Sequence, residues 1–110
     1  MSEINLCNYK SERVDIDVRA CIEDGCLTIE GQDVGKSTKE FWGDSDYEYW
    51  YKFDKGATEK LCQLLTKRCT IIETALLQVL KQKYSGIDGC KKLRNFCDKN
   101  DIDYKFSNYV

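Results

Sequence analysis

Val14, Ile16, Val18, Ala20 and Ile22 alternate with Asp15, Asp17, Arg19, Cys21 and Glu23. A period of two places the first set on one face of a β-strand and the second on the other, so this stretch reads as a half-buried strand. Asp24-Gly25 follows, the pair that most favours a two-residue type I′ turn, because both positions need positive φ. A return strand from Cys26 to about Gln32 is then expected. With Asp24 and Gly25 at the centre of the turn, Ile22 faces Leu27, Ala20 faces Ile29 and Val18 faces Gly31, while Arg19 faces Glu30 across the other side. Turn chemistry and hydrophobic pattern demand the same register, which commits this part of the chain to an antiparallel hairpin.

The rest of the chain builds on that hairpin. A weaker strand spans about Ile4 to Tyr9. Residues 33–46 read as a loop, with two Gly, two Ser and the pair Phe41-Trp42. Residues 47–53, YEYWYKF, favour a strand with Tyr47, Tyr49, Tyr51 and Phe53 on one face and Glu48, Trp50 and Lys52 on the other. Gly56 ends it, and Asp54 with Thr58 can cap a helix. Leu61, Leu64 and Leu65 form one helical stripe. Ile71, Ile72, Ala75, Leu76, Val79 and Leu80 form a second, stopped by Ser85-Gly86, with Lys81 and Lys83 in its last turn. A third helix from about Asp88 carries Leu93, Phe96 and Cys97 and ends at Asn100-Asp101. Tyr104 to Phe106 reads as a short closing strand. The expected fold is one α+β domain over residues 1–110: an antiparallel sheet with two or three helices packed on one face.

Composition narrows the chemistry. The chain has no His and no Pro. Without His it lacks the commonest general base, any Ser-His-Asp or Cys-His nucleophile arrangement, and the usual imidazole ligand of zinc. Its seven cysteines, Cys7, Cys21, Cys26, Cys62, Cys69, Cys90 and Cys97, are odd in number and include no CxxC pair. Cys62/Cys69 and Cys90/Cys97 are each spaced to share a helix face. Free thiols in a reducing cytoplasm are the expectation. The opening MSEINLCNYK has neither the basic nor the apolar region of a secretory signal, and no apolar run is long enough to span a bilayer. Net charge is -2, but residues 1–54 hold 13 acidic and 6 basic side chains whereas residues 55–110 hold 6 acidic and 11 basic. Such a split gives either two faces of opposite potential or simply solvated charge on two kinds of element.

Several groupings could carry chemistry. Gly31-Gln32-Asp33-Val34-Gly35-Lys36-Ser37-Thr38 resembles a phosphate-binding loop but has three residues between its glycines where four are needed, and no helix follows. Asp33, Asp44, Asp46 and Glu48 could form a carboxylate pair or hold a divalent cation, although short acidic clusters are usually solvated surface. Lys81, Lys83, Lys91, Lys92 and Arg94, near Tyr84, could form a basic patch, but the chain is acidic overall and carries no nucleic-acid signature. The grouping with the composition of a protein interface is an acidic loop carrying Trp42 beside Tyr47 and Trp50. The expected partner-binding residues are therefore Asp33, Glu40, Trp42, Asp44, Asp46, Glu48 and Trp50. No catalytic residue, metal or cofactor is expected, and no direct contact with membrane or nucleic acid.

Three segments carry a resemblance. Leu27-Thr28-Ile29-Glu30-Gly31-Gln32-Asp33-Val34-Gly35, then Asp46-Tyr47-Glu48-Tyr49-Trp50-Tyr51, then Ile102-Asp103-Tyr104-Lys105-Phe106 resemble a family of small bacterial proteins. Those proteins carry an L-x-I-x-G-Q-D-x-G strand, an E-Y-E-Y strand and a closing G-I-x-Y-x-F-W strand. This chain differs in Asp46 for the first Glu, Asp101 for the Gly and Ser107 for the final Trp. Some members resemble immunity proteins encoded beside contact-dependent growth-inhibition toxins. The resemblance implies a cytoplasmic, non-enzymatic protein that binds and neutralises a cognate toxin domain, which many such systems draw from basic nucleases. The alternative is another small inhibitor, such as a phage-encoded anti-defence protein.

Overall fold

The computed structural model describes residues 2–35, 46–68, 70 and 72–109. Four strands come first: β1 (Ser2–Lys10), β2 (Asp15–Glu23), β3 (Cys26–Val34) and β4 (Asp46–Lys52). Three helices follow, α1 (Lys55–Thr66), α2 (Glu73–Lys83) and α3 (Gly89–Lys99), and β5 (Lys105–Tyr109) closes the fold. The strands form one sheet in the order β1-β2-β3-β4-β5, every neighbouring pair antiparallel. The helices pack on one face, giving the two-layer α+β architecture.

The β2–β3 hairpin has the expected register. Ile22 pairs with Leu27, Ala20 with Ile29, Val18 with Gly31 and Arg19 with Glu30. Asp24 and Gly25 have φ of 53° and 77°, the positive values that a type I′ turn requires. The Arg19 guanidinium, although opposite Glu30, bonds Asp17 on its own strand at 3.1 Å. β3 runs on to Val34, two residues beyond the expected end, and keeps its alternation throughout.

β1 contains a bulge. Asn5 pairs with Arg19 and Cys7 with Val18, leaving Leu6 as an extra residue, so that Leu6 and Cys7 are both buried. The bulge also frees two carbonyls from the ladder. The Lys81 ammonium donates to the Asn5 carbonyl at 2.6 Å, and the Gly86 N–H donates to the Leu6 carbonyl at 3.0 Å. At Asn5 and Leu6 the outer edge of β1 is thus met by α2 and the turn after it.

α1 starts where expected. Asp54 is its N-cap, accepting from the Ala57 N–H at 2.8 Å. Thr58 is fully buried and accepts from the Leu27 N–H at 3.0 Å while donating to the Asp54 carbonyl at 2.8 Å, which ties α1 to the start of β3. In α2 the buried stripe is Leu76, Leu77 and Leu80, with Ile72 exposed at the N-cap and Ile71 outside the described residues. α3 buries Leu93 and Cys97. The core between the layers is built on Ile22, Leu27, Ile29, Leu61, Leu76 and Leu80, none of them exposed. Each such side chain contributes roughly 1.5–3 kcal/mol by leaving water. The closing strand lies three residues later than Tyr104–Phe106 at its far end, and every residue of it is exposed.

Candidate functional site

Strand alternation sorts the polar residues of the sheet onto two faces with different surroundings. The face away from the helices is covered by no element among the described residues. Its rows can be read directly from the register. One runs Asn5, Arg19, Glu30, Trp50, Ser107; the next runs Asn8, Asp17, Gln32, Glu48, Tyr109. A third runs Glu3, Cys21, Thr28, Lys52, Lys105, and Asp15, Val34 and Asp46 line up at the other end. Carboxylates outnumber cations here, and Trp50 is the one tryptophan among the described residues. It is partly exposed and lies between Glu30 and Ser107. Beside it, Asp17, Arg19, Glu30 and Gln32 surround a shallow depression of about 160 Å³ with Gly31 at its floor. The charge split of the sequence therefore has a spatial counterpart. The acidic half supplies four of the five strands, and the basic half supplies the helix layer and β5.

The expected binding residues fall into three groups. Asp46, Glu48 and Trp50 share the open face, as alternation in β4 requires. Asp33 does not join them. It pairs with Ile16 and Tyr47, both on the helix-facing side, so it lies across the sheet from Asp46. Tyr47 is likewise buried on the helix side and cannot sit beside Trp50. Glu40, Trp42 and Asp44 lie outside the described residues, as does most of the loop in which they were expected to act.

The helix-facing side near Asp33 holds a second polar group. Tyr47, Tyr49 and Tyr51 form a ring ladder with centroids 5.6 and 6.0 Å apart, and Tyr51 meets Phe106 at 5.1 Å. The Tyr49 ring lies across Gly31: a Cβ there would stand 2.1 Å from Tyr49 Cζ. Gly31 is thus a mid-strand glycine required for close approach, paired on both sides, and not part of a phosphate-binding loop. Burial holds the Asp33 carboxyl above the usual carboxylate range, and its Oδ1 is buried with no hydrogen-bond partner among the described residues. Burial also pushes the Cys90 thiol up to about 11, against the opposing pull of Arg94. A thiol so placed stays protonated at neutral pH, the form least suited to nucleophilic attack. The Arg94 guanidinium instead sits over the Tyr51 ring at 5.8 Å.

The cationic side chains that could form a basic patch on the helices are partly taken up by other contacts. Lys81 is engaged by β1, Arg94 by Tyr51, and Tyr84 is buried. The six described cysteines, Cys7, Cys21, Cys26, Cys62, Cys90 and Cys97, carry free thiols. No three His, Cys, Asp or Glu side chains converge as metal ligands among the described residues, and no helix there is long and apolar enough to cross a membrane. No family model, curated protein or solved structure matches the chain.

Proposed function

We propose that this chain is a non-enzymatic binding protein of the immunity type, which holds a cognate toxin domain against the open face of its sheet. The observation that carries this reading is the face that no described element covers, where Trp50 stands beside Glu30 and Glu48 in a sheet that carries Asp17 and Arg19 on the next strand but one. A sheet face left uncovered and furnished with an aromatic anchor among charges has the make-up of a protein-binding surface. Its excess of carboxylates favours a basic partner, and the long-range field speeds encounter more than it tightens the final complex.

Two measurements test the proposal. Co-expression of the chain with the toxin domain encoded beside it should restore growth, and the purified pair should form a complex. Within that complex, Asp46→Lys with Glu48→Lys should slow association and flatten its salt dependence, whereas Trp50→Ala should chiefly raise the off-rate. Growth that the chain fails to restore sinks the immunity reading. Protection with wild-type binding in all three variants moves the interface off this face.

A further inference from the structure

The two edges of the sheet are finished differently. β1 is bulged, and its outward carbonyls at Asn5 and Leu6 are taken by Lys81 and Gly86. β5 has no such cover among the described residues. Its five residues are all exposed, Phe106 at 47% and Tyr109 at 71%, and its backbone makes no hydrogen bond outside the β4 ladder among the described residues. A flat strand edge with unpaired N–H and C=O groups and large apolar side chains is a template for another strand.

We propose that the occupant is β5 of a second copy, paired antiparallel about Ser107, so that two sheets join into one of ten strands around a two-fold axis. The register follows from charge. Within one copy, Lys105 stands beside Lys52 at one end of β5, and Tyr109 stands beside Glu48 at the other. Pairing about Ser107 sets Lys105 opposite the second copy's Tyr109, and the open-face row then reads Lys52, Lys105, Tyr109, Glu48. The cationic end of each copy meets the carboxylate end of the other. The Lys105 and Glu48 backbones are two strand spacings apart across the axis, roughly 10 Å, a gap their side chains can bridge over Tyr109. On the helix side, Phe106 lies opposite Asn108. A shift of two residues in either direction loses this match. β1 is the poorer template, because a bulge interrupts it and its Asn5 and Leu6 carbonyls are already engaged. The assembly shares Glu48 with the toxin-binding reading, and the two are told apart because the dimer is measured on the chain alone, with no toxin present.

A five-residue strand contact buries less than the roughly 800 Å² per partner of a tight complex, so a dynamic dimer is expected. Sedimentation equilibrium of the purified chain from about 1 μM to about 1 mM should follow a monomer–dimer curve. Lys105→Glu sets carboxylate against carboxylate and should weaken the dimer at least about tenfold. Adding Glu48→Lys to that variant restores the complementarity and should recover most of the loss. Lys10→Glu, at the end of β1, should leave the curve unchanged. Circular dichroism establishes that each variant keeps the wild-type fold. A wild-type chain that stays monomeric over the whole range overturns the proposal. So does a dimer that Lys105→Glu leaves intact, or a loss that the double variant fails to recover.

Discussion

The two faces of the β-sheet share the same backbone and differ in what they tolerate. On the helix side, Val18, Ala20 and Ile22 of β2 and Leu27 and Ile29 of β3 are apolar and buried, and they belong to one core cluster with Leu61, Leu76 and Leu80 of the helices. On the open side, the neighbouring positions in the same strands are Asp17, Arg19, Thr28 and Glu30, free to vary in size because water accommodates them. Stability is thus concentrated on one side of a single layer, which leaves the other side available for recognition.

That division can be broken most directly at Ile29. Truncation to Ala should cost about 3 kcal/mol, read as a lower urea midpoint at unchanged slope, because it removes a fully buried side chain and leaves a cavity. A loss below about 0.5 kcal/mol would mean that the helix side is not a packed core.

Gly31→Ala comes next. It lies on the helix side, but its effect is crowding: the added methyl group collides with Tyr49. A cost of about 1–3 kcal/mol is expected, and Tyr49→Ala in the same chain should recover part of it by vacating the space. Non-additivity in that double-mutant cycle is the measurement that matters.

Asp33 sharpens the comparison, since it is a carboxylate on the apolar side. Burial raises its pKa above that of the unfolded chain. The ionised form is therefore the one the fold disfavours, and the penalty is complete only above the folded pKa. As pH falls through the folded pKa toward the unfolded value the native state takes up the proton first, and the penalty disappears. Asp33→Asn should accordingly stabilise the protein at pH 7, on the order of 1 kcal/mol, and the advantage should fade on acidification. A gain that persists unchanged at pH 3 would assign the effect to something other than this charge. The smallest effect is expected at Arg19, whose ion pair with Asp17 is exposed. Arg19→Ala should change stability by less than about 0.5 kcal/mol in thermal or urea unfolding.

The hairpin was legible in the sequence because two independent signals agreed there: Asp24-Gly25 demanded one turn, and the alternation on either side demanded the same pairing. The aromatic strand and the Asp54 cap were legible for similar local reasons. What escaped was set by long-range packing. Nothing in Asn5-Leu6-Cys7 announces a bulge, because its value lies in burying Leu6 and Cys7 together and in meeting Lys81 and Gly86. A stripe that begins at Ile71 and Ile72 leaves Leu77 off its face, whereas the helix starts at Glu73 and turns Leu76, Leu77 and Leu80 inward. Asp33 groups with Asp44, Asp46 and Glu48 in the sequence because residues 33–46 read as a loop. Once β3 continues to Val34, parity alone sends Asp33 to the other side. Glu48 and Trp50 share a face as the alternation requires, and Asp46, which reads as the end of the loop, joins them because β4 begins there.

The sheet also sets an order of assembly. β2 and β3 are joined by a two-residue turn, and their pairing can form before anything distant is in place. β5 reaches β4 only across residues 53–104, which include all three helices, so its contact carries a much larger loop-closure entropy. In the monomer β5 is expected to join last during folding and to open first in the native state, with its amides exchanging hydrogen well ahead of those in β2 and β3. The C-terminal strand is in this sense a latch on a sheet whose other four strands follow one another directly in the chain.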